Sequence, residues 1–110
     1  MNADPSVLLA ASAAEFATAY PIDAGRVRPH KILDGDGFKI RTLTMDAGAV
    51  MREHRAPVPI LVQVISGRVL FRVGDSEYDL TAGGAIQVPA GILHELEAVD
   101  PAHVLLTLLG

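Results

Sequence analysis

Two histidines carry the chemistry that this sequence offers most clearly, and His94 is the better placed of the two. It follows the turn sequence Pro89-Ala90-Gly91 and begins a run in which His94, Leu96 and Ala98 alternate with glutamates. This period of two is typical of a half-buried strand, so we expect the imidazole to point inward with the apolar side chains. An inward imidazole can act as a metal ligand, as an acid or base, or as a hydrogen-bonded core residue.

His54 is the second candidate, and Arg52 lies two residues before it. Arg52, His54 and Ala56 share one parity, so on a regular strand the guanidinium of Arg52 also enters the interior, where it could pair with a carboxylate ligand. A bulged strand would send Arg52 to solvent instead. We take His54, His94 and Arg52 as the candidate ligand pocket. The alternative is that both histidines are satisfied by hydrogen bonds within the core.

The other two histidines, His30 and His103, lie outside this pattern. His103 follows the turn sequence Asp100-Pro101-Ala102. Isolated polar side chains usually lie in water. We therefore expect both histidines at the surface, with His103 at the rim of the fold.

Composition excludes several classes of protein. A chain of 110 residues forms one domain. It has no cysteine, which rules out disulfides, thiolate metal ligands and cysteine nucleophiles. Nine basic residues against 13 acidic ones give a net charge of −4 without a basic cluster, which argues against a nucleic-acid partner.

The sequence also argues against a membrane partner. No apolar run approaches the roughly 18 residues that a spanning helix needs. The apolar stretch 7–14 imitates the core of a secretory signal, but Asp4 and Pro5 precede it where such a signal carries positive charge. We therefore expect a cytoplasmic protein.

The elements that must position the histidines are short strands. Apolar and polar residues alternate in seven segments, which turn sequences such as Gly74-Asp75-Ser76 separate. The predicted strands are 38–45, 60–65, 68–73, 77–80, 85–88, 94–98 and 104–109. Many short strands at close spacing predict an antiparallel sandwich or barrel.

The N-terminal part predicts one helix. Asp4 or Ser6 would cap it, and Pro21 would end it. Its apolar stripe consists of Leu9, Ala13, Phe16 and Tyr20. Segment 104–109 is apolar on both faces, so we expect this helix or a second subunit to cover its outer face.

Two stretches of the chain resemble the signatures of the cupin superfamily. The first runs from Gly48 through His54 to Gly67, and the second from Gly83 through Pro89-Ala90-Gly91 to His94. The resemblance implies an all-β, cupin-type double-stranded β-helix, a jelly-roll barrel, with a short N-terminal α-helix. On this basis we expect a helical segment over residues 1–28 and a barrel domain over 29–110. It also implies a homodimer.

The resemblance implies a metal site that is only half present. The family's first signature supplies two histidines and a glutamate, and its second signature supplies a third histidine. Here the second histidine position holds Ala56 and the glutamate position holds Ile60. Two imidazoles alone make a weak site. We therefore expect no certain cofactor, and at most a loosely bound divalent metal (Zn, Fe, Mn or Ni) at His54 and His94.

Three functions remain open from the sequence. The first is a binding or sensing barrel that accepts a small molecule near His54 and His94. The second is a metal-dependent enzyme of the dioxygenase, isomerase or decarboxylase type, with a reduced ligand set. The third is a structural or interaction barrel without a ligand.

Overall fold

The computed structural model describes residues 4–110, and these form one short helix and a seven-stranded antiparallel sheet. The elements are α1 (Ala13–Ala19), β1 (Val27–Gly35), β2 (Phe38–Met45), β3 (Val50–His54), β4 (Ile60–Val73), β5 (Ser76–Thr81), β6 (Ala85–Val88) and β7 (His94–Leu108). The expected fold class, all-β with a short N-terminal helix, is confirmed. Residues 1–3 of the predicted segment 1–28 lie outside the described residues.

Two long strands, β4 and β7, form the centre of the sheet. The first half of β4 pairs with the second half of β7, from Ile60 opposite Leu108 to Val64 opposite Val104. The second half of β4 pairs with the first half of β7, ending at Val73 opposite His94. Register shifts between residues 64 and 69 separate the two halves. Bulges of this kind bend a strand, so the sheet can fold over on itself.

The shorter strands extend each half separately. At one end of the central pair, β2 lies beside β7 and β6 beside β4, and β1 continues the sheet beyond β2. At the other end, β3 lies beside β7 and β5 beside β4. The path remains open because β1 and β5 do not pair with each other. The result is two layers that share β4 and β7.

One apolar core joins the two layers. Its buried members come from four strands, β2, β4, β6 and β7: Leu43, Met45, Ile60, Val62, Val64, Val69, Phe71, Val88, Leu96, Ala98, Ala102 and Val104. Val69 and Phe71 lie inside while Arg68 and Arg72 face outward, as their alternation predicts. Burial of such side chains is the main stabilising contribution in a chain of this size.

The central bend depends on a glycine. Gly67 has φ 84°, a left-handed conformation that side chains disfavour. A Cβ atom there would overlap the carbonyl oxygen of Pro101 on the neighbouring strand. The backbones of β4 and β7 therefore approach one another at a point that only glycine fits.

The expected strand breaks at Ser66-Gly67 and at Asp100-Pro101-Ala102 are wrong. Both sequences bend a strand without ending it, so two pairs of predicted strands form the single strands β4 and β7. The pairing of β4 with β7 continues across both bends through a bulged region. Strand β1 was also not expected. Its burial alternates irregularly at the sheet edge, which leaves little periodic signal.

Helix α1 is shorter than the sequence predicts. Ser12 is its N-cap, and the Ser12 hydroxyl accepts a hydrogen bond from the Glu15 amide at 3.1 Å. The expected start at Asp4 or Ser6 is wrong, because the Asp4 carboxylate instead accepts from the Ser6 amide at 2.8 Å in a local turn. No helix formed by residues 4–110 is long and apolar enough to cross a membrane.

Candidate ligand site

The two candidate histidines meet on neighbouring strands. His54 ends β3 and His94 begins β7, and the two residues lie directly opposite one another in the antiparallel ladder. Their ring centroids are 4.3 Å apart, with the ring planes inclined at 63°. Opposite residues of an antiparallel pair project from the same face of the sheet, which explains the contact. We call these two side chains the histidine pair.

A turn and a backbone hydrogen bond hold the pair in register. The amide of Gly91 donates to the carbonyl oxygen of Ala56 at 2.8 Å. This bond joins the loop after His54 to the turn before His94. Gly91 has φ 79°, so glycine suits the turn that aims His94 inward.

Both imidazoles are anchored in the same way. Nδ1 of His94 lies 3.0 Å from the carbonyl oxygen of Ile92, and Nδ1 of His54 lies 3.0 Å from that of Arg52. A carbonyl oxygen only accepts hydrogen bonds, so Nδ1 of each ring must carry the hydrogen and donate it. In the neutral imidazoles, Nε2 of each ring therefore keeps its lone pair.

The environment of His94 favours the neutral ring. Its side chain is only 3% exposed and stacks on Phe71 at a centroid distance of 5.5 Å. This burial lowers the pKa of His94 below the usual 6.5. The hydrogen bond to Ile92 opposes that shift, and the charge of a protonated His54 would add to it. His54 itself is half-buried.

The two Nε2 atoms remain free to bind something. No hydrogen bond made within residues 4–110 uses Nε2 of His54 or His94. In that same part of the chain, no buried side-chain nitrogen or oxygen lacks a partner. Nε2 of His94 must therefore be accessible to solvent. With neutral rings, the histidine pair therefore presents two hydrogen-bond acceptors, one from each imidazole.

The surroundings of the pair do not fit a resident divalent metal. Among residues 4–110 there is no group of three or more His, Cys, Asp or Glu side chains that could hold an ion. Ala56 packs against the core and Ile60 is 2% exposed, so hydrocarbon stands where the family would supply two further ligands. A dication in this setting would lack compensating charge.

Arg52 does not join the pair through its side chain. The ladder between β3 and β7 shifts register between Met51 and His54, and Arg52 is exposed. The strand is therefore bulged, as in the second alternative above, and inward and outward side chains no longer alternate strictly along it. Arg52 contributes its backbone carbonyl oxygen, which accepts the hydrogen bond from His54.

His103 is buried, so the expected surface position is wrong. It is 5% exposed and lies beneath Phe16 of α1, with their rings edge to face at 6.1 Å. Its Nε2 donates to the carbonyl oxygen of Tyr20 at 2.7 Å, which leaves Nδ1 to accept from the Ser66 hydroxyl at 2.9 Å. Ser66 and His103 are opposite one another at the bend, a pairing that the predicted turns concealed. His30 is half-buried and contacts the Thr44 hydroxyl at 3.3 Å.

A groove of about 450 Å³ lies away from the histidine pair. It runs between the N-terminal segment and the outer face of β4 and β7. Its lining is mainly apolar and consists of Leu9, Ala10, Ala11, Ser12, Ala13, Phe16, Gln63, Val64, Ile65, Gly83 and Leu105. The sequence patterns did not point to this groove, because it depends on how the N-terminal segment lies on the sheet.

Comparison with protein families gives one match. The family model described as Cupin domain matches residues 41–108, which include both histidines of the pair and both long strands. No curated protein matches this chain.

Solved structures share the whole architecture. A conserved protein of unknown function from Streptococcus pyogenes is 22% identical with a TM-score of 0.79, over 98% of this chain and 90% of that one. A cupin superfamily protein from Desulfitobacterium hafniense is 17% identical with a TM-score of 0.80, over 97% and 93%. An RmlC-like cupin from Desulfovibrio desulfuricans is 24% identical with a TM-score of 0.75, over 82% and 88%. At these identities the likeness extends to the fold alone.

Proposed function

Because the chain belongs to the cupin domain family, we propose that it uses the inward-facing histidine pair of that fold to bind a small polar molecule without transforming it. The observation that carries this proposal is the anchoring of both rings. Each Nδ1 is held by a carbonyl oxygen and each Nε2 is left without a protein partner. Rigid polar groups of this kind, set among apolar side chains, are the usual means by which a pocket orients a ligand.

The poor ligand set favours binding over metal-dependent catalysis. A dioxygenase, isomerase or decarboxylase of the cupin kind would need His54 and His94 to share an ion with at least one further protein ligand. Residues 4–110 place no such third group beside the pair. The metal-dependent enzyme is therefore our second candidate, and it would require a weakly bound divalent ion at the histidine pair.

The proposal is tested by thermal shift with matched variants. Wild-type protein, His54→Ala and His94→Ala are screened against small acids, amides, polyols and divalent metals. His30→Ala is the control, because His30 is also half-buried and hydrogen-bonded but belongs to another part of the sheet. A ligand at 100 times its Kd stabilises the folded state by about 2.7 kcal/mol.

The expected result is a compound that raises the melting temperature of wild type and of His30→Ala, and of neither variant at the pair. Binding that persists in both His54→Ala and His94→Ala would place the ligand elsewhere and reject the proposal. A screen without any stabilising compound would leave the third function, a barrel without a ligand, as the better description.

We also propose that the chain forms a homodimer through the outer face near the end of β7. Leu109, directly after β7, is 46% exposed, and Val7 and Leu8 of the N-terminal segment are 61% and 75% exposed. Burying these exposed apolar side chains against a second copy would remove them from water. Light scattering should report a dimer for wild type and for Val99→Glu, an equally apolar exposed position at the bend, and a monomer for Leu8→Glu combined with Leu109→Glu.

The remaining assignments rest on composition. With a net charge of −4 and no basic cluster, we propose a protein that works in the cytoplasm without nucleic-acid or membrane partners. Fractionation of cells that express the tagged chain tests this location.

A further inference from the structure

We propose that the histidine pair, while both rings are neutral, selects an uncharged ligand with two adjacent hydroxyl groups, a vicinal diol, and discriminates against carboxylates. This inference rests on the proposed function, because it names the chemical class that the binding site would take. It follows from the direction of the hydrogen bonds at the pair and from the charges around it.

The hydrogen-bond direction is decided by the backbone. Nδ1 of each ring donates to a carbonyl oxygen, at 3.0 Å in both cases, so neither neutral ring has a second hydrogen to offer. The two Nε2 atoms can only accept. They cannot bond to each other, although the ring centroids are 4.3 Å apart. A ligand that satisfies both must bring two donors.

The same argument excludes a carboxylate. An ionised carboxylate is an acceptor only, so its oxygens would face two lone pairs without a hydrogen between them. Polar groups that are forced together without a hydrogen bond lose the solvation they had in water.

The charges near His54 favour a neutral donor over a cationic one. Arg52, Glu53 and Arg55 are all exposed on and just beyond the end of β3, and together they carry a net charge of +1. An ammonium group would meet this charge as it approached. Hydroxyl groups donate without carrying charge, and the adjacent hydroxyls of a vicinal diol can address two neighbouring rings at once.

Apolar contacts would support the carbon skeleton of such a ligand. Ile92 and Leu93, which lie directly before His94, are 41% and 37% exposed. Phe71 stacks on the His94 ring and closes its inner side. Two acceptors next to exposed apolar side chains suit a molecule that has one hydroxylated edge.

The test uses four ligands that share one six-membered carbon ring. They are cis-cyclohexane-1,2-diol, cyclohexanol, cyclohexanecarboxylate and cyclohexylammonium, each titrated at pH 8 into ¹⁵N-labelled protein. Long-range proton–nitrogen spectra report the tautomer of each histidine and the ligand-induced change at Nε2. His30 serves as an internal control, because it belongs to neither half of the pair.

The expected tautomer has hydrogen on Nδ1 in both His54 and His94. The diol should perturb both Nε2 signals at the lowest concentration. Cyclohexanol should bind about fivefold more weakly, since it loses one hydrogen bond worth about 1 kcal/mol. His54→Ala should reduce the diol to the affinity of cyclohexanol.

Two results overturn the inference and leave the proposed function intact. One is hydrogen on Nε2 of either ring, and the other is tighter binding of the carboxylate or the ammonium than of the diol. If none of the four ligands perturbs either ring, the diol assignment is overturned. The thermal-shift screen with His54→Ala and His94→Ala then decides the proposed function separately.

Discussion

The substitution Gly67→Ala should destabilise this protein by more than the loss of glycine's conformational freedom explains. Two costs add at this position. The backbone has φ 84°, and an alanine forced into left-handed geometry costs about 1–2 kcal/mol. The new methyl group would also overlap the carbonyl oxygen of Pro101, and it would lie 2.7 Å from Cα of Ala102 and 2.9 Å from its Cβ.

The second cost falls on backbone that cannot move cheaply. Overpacking of a tight site typically costs about 1–3 kcal/mol. The total expected loss for Gly67→Ala is therefore about 2–5 kcal/mol in the free energy of unfolding. Gly37→Ala is the matched control, because Gly37 has φ 79° and a Cβ there would meet nothing within 4 Å.

Urea unfolding of wild type and both variants gives the comparison. Both alanines carry the left-handed cost, so the excess loss in Gly67→Ala measures the approach of β4 to β7 at the bend. We expect an excess of about 1–3 kcal/mol with little change in the slope of the transition. Equal losses in the two variants would show that the strands are not in contact at residue 67 and would refute the bend described above.

Three further predictions concern His94, His103 and the metal content of the protein. Burial lowers the pKa of His94 in the folded chain, so the contribution of His94 to stability is complete above the ordinary histidine pKa of 6.5 and is lost as the pH falls below it. The urea midpoint should therefore drop between pH 7.5 and pH 5.5. This drop should be smaller in His94→Gln. His103→Ala should lower the free energy of unfolding by about 1–3 kcal/mol, because it leaves the Ser66 hydroxyl and the Tyr20 carbonyl oxygen without their partner. Amide hydrogen exchange should accelerate in α1. Unchanged exchange there would show that the hydrogen bond from His103 to Tyr20 does not hold α1 on the sheet. Elemental analysis of protein purified without chelator should find less than one divalent ion per chain, and a stoichiometric ion would mean that ligands other than the histidine pair complete a site.

Period-two alternation was enough to predict the inner face of the sheet near the site. His94, Leu96 and Ala98 are 3%, 1% and 1% exposed, and their spacing alone indicated this. The turn at Pro89-Ala90-Gly91 likewise predicted where the strand would begin. Local signals work here because each depends on residues that are adjacent in the chain.

The features that the sequence did not predict depend on distant residues. His103 is buried because Ser66 lies opposite it and Phe16 covers it, at separations of 37 and 87 residues. No local pattern records such contacts. For Arg52 the sequence offered both the interior and solvent, and the bulge that decides between them is a property of the pairing of β3 with β7.

The tautomer of the histidine pair belongs to a third kind of feature. The sequence placed His54 and His94 inward, but the hydrogen on Nδ1 follows from carbonyl oxygens two residues earlier in each strand. That geometry depends on the local dihedral angles at the start of β7 and the end of β3. Residue types alone therefore left open whether the pair offers donors or acceptors.

The shared central strands have a consequence for the order of folding. Before β7 is synthesised, the pairings available to the chain are β1 with β2, and β4 with β5 and β6. Strand β3 then has no partner, since it pairs with β7. The β4–β7 ladder brings Ile60 to Leu108, and closing loops of this length is slow compared with forming hairpins. The two layers can therefore join only after residues 94–108 have been synthesised, because β2, β3 and β4 all pair with β7.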